Sequence, residues 1–294
     1  MNYAVVDTGS NTIRMSVYKY ENENLSELYT EAVFANLAGH ITDNRLSDEG
    51  IDACSEAILY HKKKAAEYDA KFYVFATAAI RNAQNCEKIV EKVKEKTGIN
   101  LEILSGEDEG ELSFLGAASD FPVTSGVMAD VGGGSSEVIL FSDGKPVAIQ
   151  SVPIGSLKAY KTFVAGEMPT AEEVQKIKDE ITKRLNSNEK FKDINAESLC
   201  LVGGGVRAAK KLSELFLGRE DLDVDSVKSM LSLFVARPDT MEILERITPK
   251  RKLTITPGLA IYSAIGEYFG ANKIYLSDKG IKEGYVLKYL IHQI

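Results

Sequence analysis

At 294 residues, 44% hydrophobic and 27% charged, the chain has the composition of a soluble globular protein and more length than one compact core usually takes, so two domains are expected. It contains no run of about 18 apolar residues that could span a membrane, and the opening MNYAVVDTGSNT lacks the basic region of a secretory leader. A net charge of −8 excludes extended non-specific binding to nucleic acid or anionic membranes, and it requires any polyanionic small ligand to meet local donors, cations or a metal.

The first predicted strand is Tyr3–Val6, which ends at Asp7-Thr8-Gly9-Ser10-Asn11. A second runs from Ile13 to Tyr18, an Asn-rich turn spans Asn22–Asn24, and Glu27–Ala35 continues as a strand. Ile51, Cys54, Ala57, Ile58 and Ala65 recur at helical spacing, so a helix is expected between Ser47 and Tyr68. Lys71–Ala76 reads as a buried strand, Arg81–Lys96 as a helix, Leu101–Leu104 as a short strand and Gly106–Ala117 as a helix. The pattern then restarts. Gly126–Ala129 runs into Asp130-Val131-Gly132-Gly133-Gly134-Ser135-Ser136, followed by a strand Val138–Phe141, a hairpin turn at Asp143-Gly144 and a strand Pro146–Val152. Beyond these come a helix Ala171–Leu185, a strand Ser198–Val202 leading into Gly203-Gly204-Gly205, and a helix Val206–Phe216. An apolar helix Leu259–Phe269, a strand Lys273–Leu276 and a final helix Gly284–Ile291 complete the chain.

Strands alternating with helices imply an α/β fold. The chain also repeats itself: Asp7 and Asp130 each follow an apolar strand, and each has glycine two positions later, Gly9 and Gly132. Each turn runs into a further strand, where Arg14 and Glu137 hold the same offset from their Asp. Two such units predict two related lobes facing each other, with a boundary near Asp120-Phe121-Pro122. Residues 1–120 are the expected first lobe, joined by a C-terminal helix 284–294, and residues 121–283 the second.

A Gly/Ser-rich turn between strands exposes successive N–H groups and binds phosphate oxygens, because glycine lets the backbone approach closely. Gly132-Gly133-Gly134-Ser135-Ser136 supplies such a turn and Ser10-Asn11 a side-chain version; tight hairpins with no ligand are the alternative. Asp7, Asp130 and Glu137 would repel phosphate unless a hard cation such as magnesium lay among them, or they are simply turn-stabilising side chains. Glu107-Asp108-Glu109-Gly110-Glu111 clusters carboxylates at a helix start, which suits proton abstraction but is also what the helix dipole favours. Arg81 follows a strand and matches phosphate geometry, or is a solvated surface residue. Lys62-Lys63-Lys64 and Lys250-Arg251-Lys252 read as solvated faces, and His40, His61 and His292 receive no role. Cys54, Cys86 and Cys200 suit neither a disulfide framework nor a zinc site, which points to the cytoplasm.

VVDTGSNTIR, ATAAIRNAQN, LSGEDEGELSFLGA, ADVGGGSSEVIL, ITPGLAIYSAI and LSDKGIKEGYVL together resemble, in this order and from Val5 to Leu287, the exopolyphosphatase/guanosine pentaphosphate phosphohydrolase family. The resemblance implies two duplicated ribonuclease-H-like lobes of the sugar kinase/heat-shock-70/actin superfamily. It implies hydrolysis of the terminal phosphoanhydride bond of inorganic polyphosphate, or of guanosine penta- or tetraphosphate, with magnesium. On that resemblance Asp7, Gly9, Ser10 and Asn11 form the first phosphate motif and Asp130 to Glu137 the second. Glu109 falls on the carboxylate that orients the attacking water, reversing the reading of the acidic run from composition. Arg81 falls on an arginine that contacts substrate phosphate, and Gly204 and Gly205 on a loop that approaches a nucleotide or further phosphates. The family also implies pairing as homodimers. Lys282, where many members have Arg, and the loose Gly203–Arg207 loop depart from the pattern and bear on distal contacts. A sugar or acid kinase, a non-catalytic alarmone sensor and a dinucleotide-binding oxidoreductase, from Gly203-x-Gly205-x-x-Ala208, are the competing expectations.

Overall fold

The run Tyr3-Ala4-Val5-Val6 has no polar face, and it forms the buried middle of strand β1 (Asn2–Thr8). Ala4 and Val6 enter one apolar cluster and Tyr3 and Val5 another, so both faces of the strand are covered. The computed structural model describes residues 1–219, 221–237 and 239–291 and divides into two units, Met1–Leu112 with Ile281–Ile294, and Ser113–Gly280. His292 and the end of the expected C-terminal helix 284–294 lie outside the described residues.

In the first unit, β1 is followed by β2 (Thr12–Glu21), β3 (Asn24–Phe34), the short strands β4 (Ile41–Thr42) and β5 (Arg45–Leu46), and α1 (Asp48–Ala66). Next come β6 (Ala70–Ala76), α2 (Ala78–Arg81), α3 (Cys86–Thr97), β7 (Glu102–Ile103) and α4 (Gly106–Ala117). The sheet order is β3-β2-β1-β6-β7, an antiparallel meander of β1 to β3 continued by parallel β6 and β7. Asn22 and Glu23, at φ 51° and 60°, make the tight turn that joins β2 to β3. Ser47 starts α1 by accepting from Gly50 N–H at 3.2 Å.

The second unit repeats this plan. It contains β8 (Gly126–Val131), β9 (Ser136–Ser142), β10 (Lys145–Val152), α5 (Ser156–Phe163), α6 (Ala171–Leu185) and β11 (Ser198–Val202). These are followed by α7 (Gly204–Leu217), α8 (Val224–Ala236), α9 (Thr240–Ile247), α10 (Ile255–Phe269) and β12 (Lys273–Ser277). Its sheet order is β10-β9-β8-β11-β12, again an antiparallel meander continued by two parallel strands. Each unit is therefore a ribonuclease-H-like lobe, and the sequence repeat at Asp7 and Asp130 corresponds to equivalent strand ends. The chain then returns to the first unit as α11 (Ile281–Tyr285) and a π-helical turn, Val286–Ile291. Among the described residues no helix is long and apolar enough to cross a membrane.

Three features differ from the sequence reading. The division between units falls inside α4, earlier than Asp120–Pro122. The single helix expected over Arg81–Lys96 is broken between α2 and α3. There the buried Asn85 side chain accepts from Leu46 N–H at 3.0 Å and donates to Leu46 O at 2.9 Å, and Gln84 N–H donates to Asn44 O. Those bonds to the β4–β5 hairpin replace the helical ones. The final helix is only five residues long before it widens. Gly284 packs directly on the α4 backbone, where a side chain would collide with Leu112 O.

Candidate active site

Parallel pairing sets the first unit's candidate site. The register aligns Thr8 with Ala76 and Ala76 with Ile103, so β1, β6 and β7 end at one edge of the sheet. Ligands of open α/β sheets bind beyond such carboxyl ends. From these ends leave the Gly9–Asn11 turn, the Thr77–Arg81 segment and the Ser105–Glu109 segment. In the turn, Gly9 N–H donates to Thr12 O at 3.2 Å. The carbonyl of Ser10 accepts from Ala38 at 2.8 Å, and that of Asn11 from Ala35 at 3.1 Å and Asn36 at 2.9 Å. Each peptide is planar and trans, so a carbonyl held on one side leaves the next N–H pointing to the other. The N–H groups of Ser10 and Asn11 have no acceptor among the described residues, which is the condition of an anion-binding turn.

Arg81 and Glu109 meet at the same edge. Nη1 of Arg81 donates to Leu104 O at 2.9 Å and to Glu109 Oε2 at 2.6 Å, which uses both of its hydrogens. Nε and Nη2 donate to nothing among the described residues, so one edge of the guanidinium stays available. The side chains of the pair are only 17% and 11% exposed. The rest of the acidic run is otherwise engaged. Ser105 caps α4 by accepting from Asp108 N–H at 3.0 Å and donating to its carboxylate at 2.6 Å. Glu111 pairs with Lys288 at 2.8 Å, and Glu107 is exposed. Glu109 turns inward and is 9% exposed.

The second unit builds an equivalent turn more tightly. Gly132 N–H donates to Ser135 O at 3.0 Å, as Gly9 does to Thr12. The first residues of α5 hold the turn's carbonyls: Ser156 N–H donates to Gly132 O at 2.9 Å, and Leu157 and Lys158 donate to Gly133 O at 3.0 and 2.9 Å. The N–H groups of Gly133, Gly134 and Ser135 are left without acceptors among the described residues. Gly155, which caps α5, has no room for a side chain, since a Cβ would lie 2.5 Å from Gly132 O and 2.6 Å from Ser135 O. Asp130 and Glu137 are register partners across β8 and β9 and so share one face. Asp130 accepts from Ser113 Oγ at 2.7 Å and the buried Glu137 from Ser151 Oγ at 2.7 Å. In the first unit the same position opposite Asp7 holds Arg14. Beyond β11, Gly203 at φ 99° brings the chain against Asp130, 2.9 Å from Oδ1 to where its Cβ would be, and starts α7 at Gly204.

Comparison with known proteins adds lineage to this geometry. Residues 17–292 match the Ppx/GppA phosphatase family. The chain belongs to that family. It is similar to the bifunctional 3-dehydroquinate synthase/phosphatase of Fusobacterium nucleatum, at 27% identity over 97% of this chain and 46% of that protein; the chain thus spans about half the length of this relative. Exopolyphosphatase 1 of Mycobacterium tuberculosis is 24% identical, over 99% of this chain and 88% of that protein. In fold, the chain is similar to the crystal structure of the Aquifex aeolicus member of the Ppx/GppA family, with a TM-score of 0.82 at 24% identity, covering 100% of this chain and 98% of that one.

Within this Ppx/GppA chain the expected site residues separate by lobe. Asp7, Gly9, Ser10, Asn11, Arg81 and Glu109 belong to the first, and Asp130, Gly132 to Glu137, Gly204 and Gly205 to the second. The Ser136 hydroxyl is fully buried and donates to Ile154 O at 2.7 Å, so it anchors the turn's foot. Arg251 corrects an expectation. It lies over the start of α7, where a side chain on Gly204 would collide with its guanidinium, and is not part of a solvated basic run. Arg14 enters the sequence reading only as a repeat marker, yet the β1–β2 register sets it directly opposite Asp7. His61 is buried and bonded to Ile13 O at 3.0 Å, with burial lowering its pKa, so it stays neutral and structural. Burial pushes the thiols of Cys54 and Cys200 up to about 12, which removes them as nucleophiles.

Proposed function

We propose that this protein is an exopolyphosphatase: it hydrolyses the terminal phosphoanhydride bond of inorganic polyphosphate, with Glu109 steering the attacking water. The observation that carries the reading is the Arg81–Glu109 pair, with a free guanidinium edge beside a buried carboxylate. Phosphoryl transfer needs positioning and charge stabilisation more than covalent chemistry. Arg81 serves both, since it fixes Glu109 through Nη1 while Nε and Nη2 can take a phosphate oxygen. The N–H groups of Ser10 and Asn11 hold phosphate in the first unit, and those of Gly133, Gly134 and Ser135 do so in the second. Glu109 accepts a hydrogen bond from water and draws off its proton as the nucleophile attacks in line.

Magnesium fits the residues of the second unit. Asp130 and Glu137 offer hard oxygens from adjacent positions on one face of the β8–β9 pair, and magnesium typically takes one or two carboxylates and completes its shell with water and substrate oxygens. Among the described residues no group of three or more His, Cys, Asp or Glu side chains could hold a metal ion. Asp7 is the weaker member of the set, because Arg14 opposite it already supplies a cation. The ion supplies Lewis-acid offset of phosphate charge when bound.

Preference for polyphosphate over guanosine pentaphosphate is supported by the site segments themselves. Gly9–Asn11, Thr77–Arg81, Ser105–Glu109, Gly132–Ser136 and Gly203–Gly205 carry no aromatic ring on which a base could stack. The test is orthophosphate release by the purified full chain with magnesium, from polyphosphate and from guanosine pentaphosphate side by side. A higher kcat/KM on polyphosphate is expected. A higher value on the nucleotide transfers the assignment to a guanosine pentaphosphate phosphohydrolase, and binding of either with no release makes the protein a sensor.

A further inference from the structure

Asn85 stands where an asparagine usually caps its own helix. It is the N-cap residue of α3, yet its side chain makes no capping bond there. The side chain turns away instead, is buried with the residue only 7% exposed, and engages the backbone of a residue 39 positions earlier in the chain. Leu46 N–H donates to its Oδ1 at 3.0 Å, and its Nδ2 donates to Leu46 O at 2.9 Å. Beside it, Gln84 N–H donates to Asn44 O at 2.8 Å. A side chain that gives up its own helix's N–H groups for two buried long-range bonds serves to fix the α2–α3 junction against the β4–β5 hairpin.

What that junction carries is Arg81. Helix α2 is a single turn, Ala78–Arg81, too short to hold its own direction. Its entry is set by β6, whose last residue Ala76 pairs with Thr8, and its exit by the junction. Between Arg81 and Asn85 the chain is kept tight by Asn82 N–H to Ala78 O and Ala83 N–H to Ile80 O, both 3.1 Å. The hairpin on the other side of the clasp is well fixed. Asp43 and Asn44, at φ 49° and 57°, make its two-residue turn. Leu46 packs on α1 so closely that a Cβ on Gly50 would lie 2.6 Å from its Cδ1. The hairpin also continues a stretch whose near end holds the Ser10–Asn11 turn, through Ala35 and Asn36 N–H to Asn11 O and Ala38 N–H to Ser10 O. Residues 35–46 therefore form one bracket, bonded at one end to the turn and at the other to the junction behind Arg81.

We propose that Asn85 is a positioning residue for Arg81: by clasping the β4–β5 hairpin it fixes where the guanidinium stands relative to the Ser10–Asn11 turn, so that both address one phosphate group. The inference rests on the proposed phosphoanhydride hydrolysis for the identity of the ligand. Asn85 touches no substrate and acts only through Arg81. Every residue it invokes belongs to the first unit.

A double-mutant cycle tests this, because a residue that works through another loses its effect once the other is removed. Asn85→Ala, Arg81→Ala and the double variant are compared with the wild-type full chain. The readouts are kcat/KM for orthophosphate release from polyphosphate with magnesium, and calorimetric affinity for tripolyphosphate. With Arg81 present, Asn85→Ala is expected to lower kcat/KM and to weaken tripolyphosphate about tenfold or more, the effect of misplacing a hydrogen bond to a charged group. In the Arg81→Ala background the same change alters either quantity less than about twofold. A merely structural role would lower the denaturant midpoint alike in both backgrounds and leave the kinetic losses additive. Non-additivity in either readout supports the proposal; additive losses in both, or no effect of Asn85→Ala by itself, overturn it. Asn85→Asp, which keeps the shape but removes the donor to Leu46 O, carries the same cycle with the same expected pattern where the alanine variant does not fold. The two readings fail separately. If the wild-type protein releases no phosphate but the affinity cycle is non-additive, the positioning role stands without the hydrolase. If phosphate is released and both cycles are additive, the hydrolase stands and Asn85 is a clasp of the fold alone.

Discussion

Glu109 and Arg81 depend on each other for their chemistry. Glu109 is 9% exposed and accepts a charge-assisted hydrogen bond from the Arg81 guanidinium at 2.6 Å. Arg81 thereby fixes the direction of the carboxylate through Nη1 while Nε and Nη2 donate to nothing among the described residues. Lysine could not play both parts, since its ammonium has no second planar edge to offer while bonded to Glu109 and Leu104. Arg81→Lys is therefore expected to lower kcat/KM about 100-fold in phosphate-release assays despite retaining the charge. Activity within about threefold of wild type would show that the free edge of the guanidinium is not used.

At the scale of elements, the two glycine-containing turns after β1 and β8 are held by segments that lie C-terminal to them in the chain. The start of α5 clamps the carbonyls of Gly132 and Gly133, and the segment Ala35–Ala38 does the same for Ser10 and Asn11. Gly155→Ala should displace the second turn, since the added methyl would sit 2.5 Å from Gly132 O. A fall in kcat/KM of about tenfold or more is expected, with a stability loss of about 1–3 kcal/mol in denaturant melts. Loss of stability with unchanged kinetics would mean that the turn is not part of the site. This level of organisation is what the sequence conceals. The strand–turn–strand repeat is legible because Asp, Gly and an apolar run recur at fixed offsets, and α1 is legible because its apolar residues keep helical spacing. The break between α2 and α3 is not, because it arises from Asn85 bonding to Leu46, far away in the chain. The short helices α5, α8 and α9 are also missed, since their apolar residues are fixed by packing within the second unit's core.

For the whole molecule, duplication explains both what the sequence reveals and what it misleads about. Two lobes of the same strand order place equivalent turns after β1 and β8, which is why the repeat at Asp7 and Asp130 is legible in the sequence. The lobes differ at one facing position: Arg14 stands opposite Asp7, whereas Glu137 stands opposite Asp130. Arg251 looked like part of a surface run because its neighbours are Lys250 and Lys252, and only folding onto α7 separates it from them. Glu109 could not be distinguished from Glu107 or Glu111 by composition, because the distinction is which side of one helical turn each occupies.

The measurement that bears most directly on this account is the turnover of Glu109→Gln, a change that keeps size and hydrogen bonding but removes the charge. With polyphosphate and magnesium, kcat for orthophosphate release should fall about 100-fold or more while tripolyphosphate affinity stays within about threefold of wild type. Wild-type turnover in that variant would contradict the account, because the buried carboxylate beside Arg81 would then have no part in activating water.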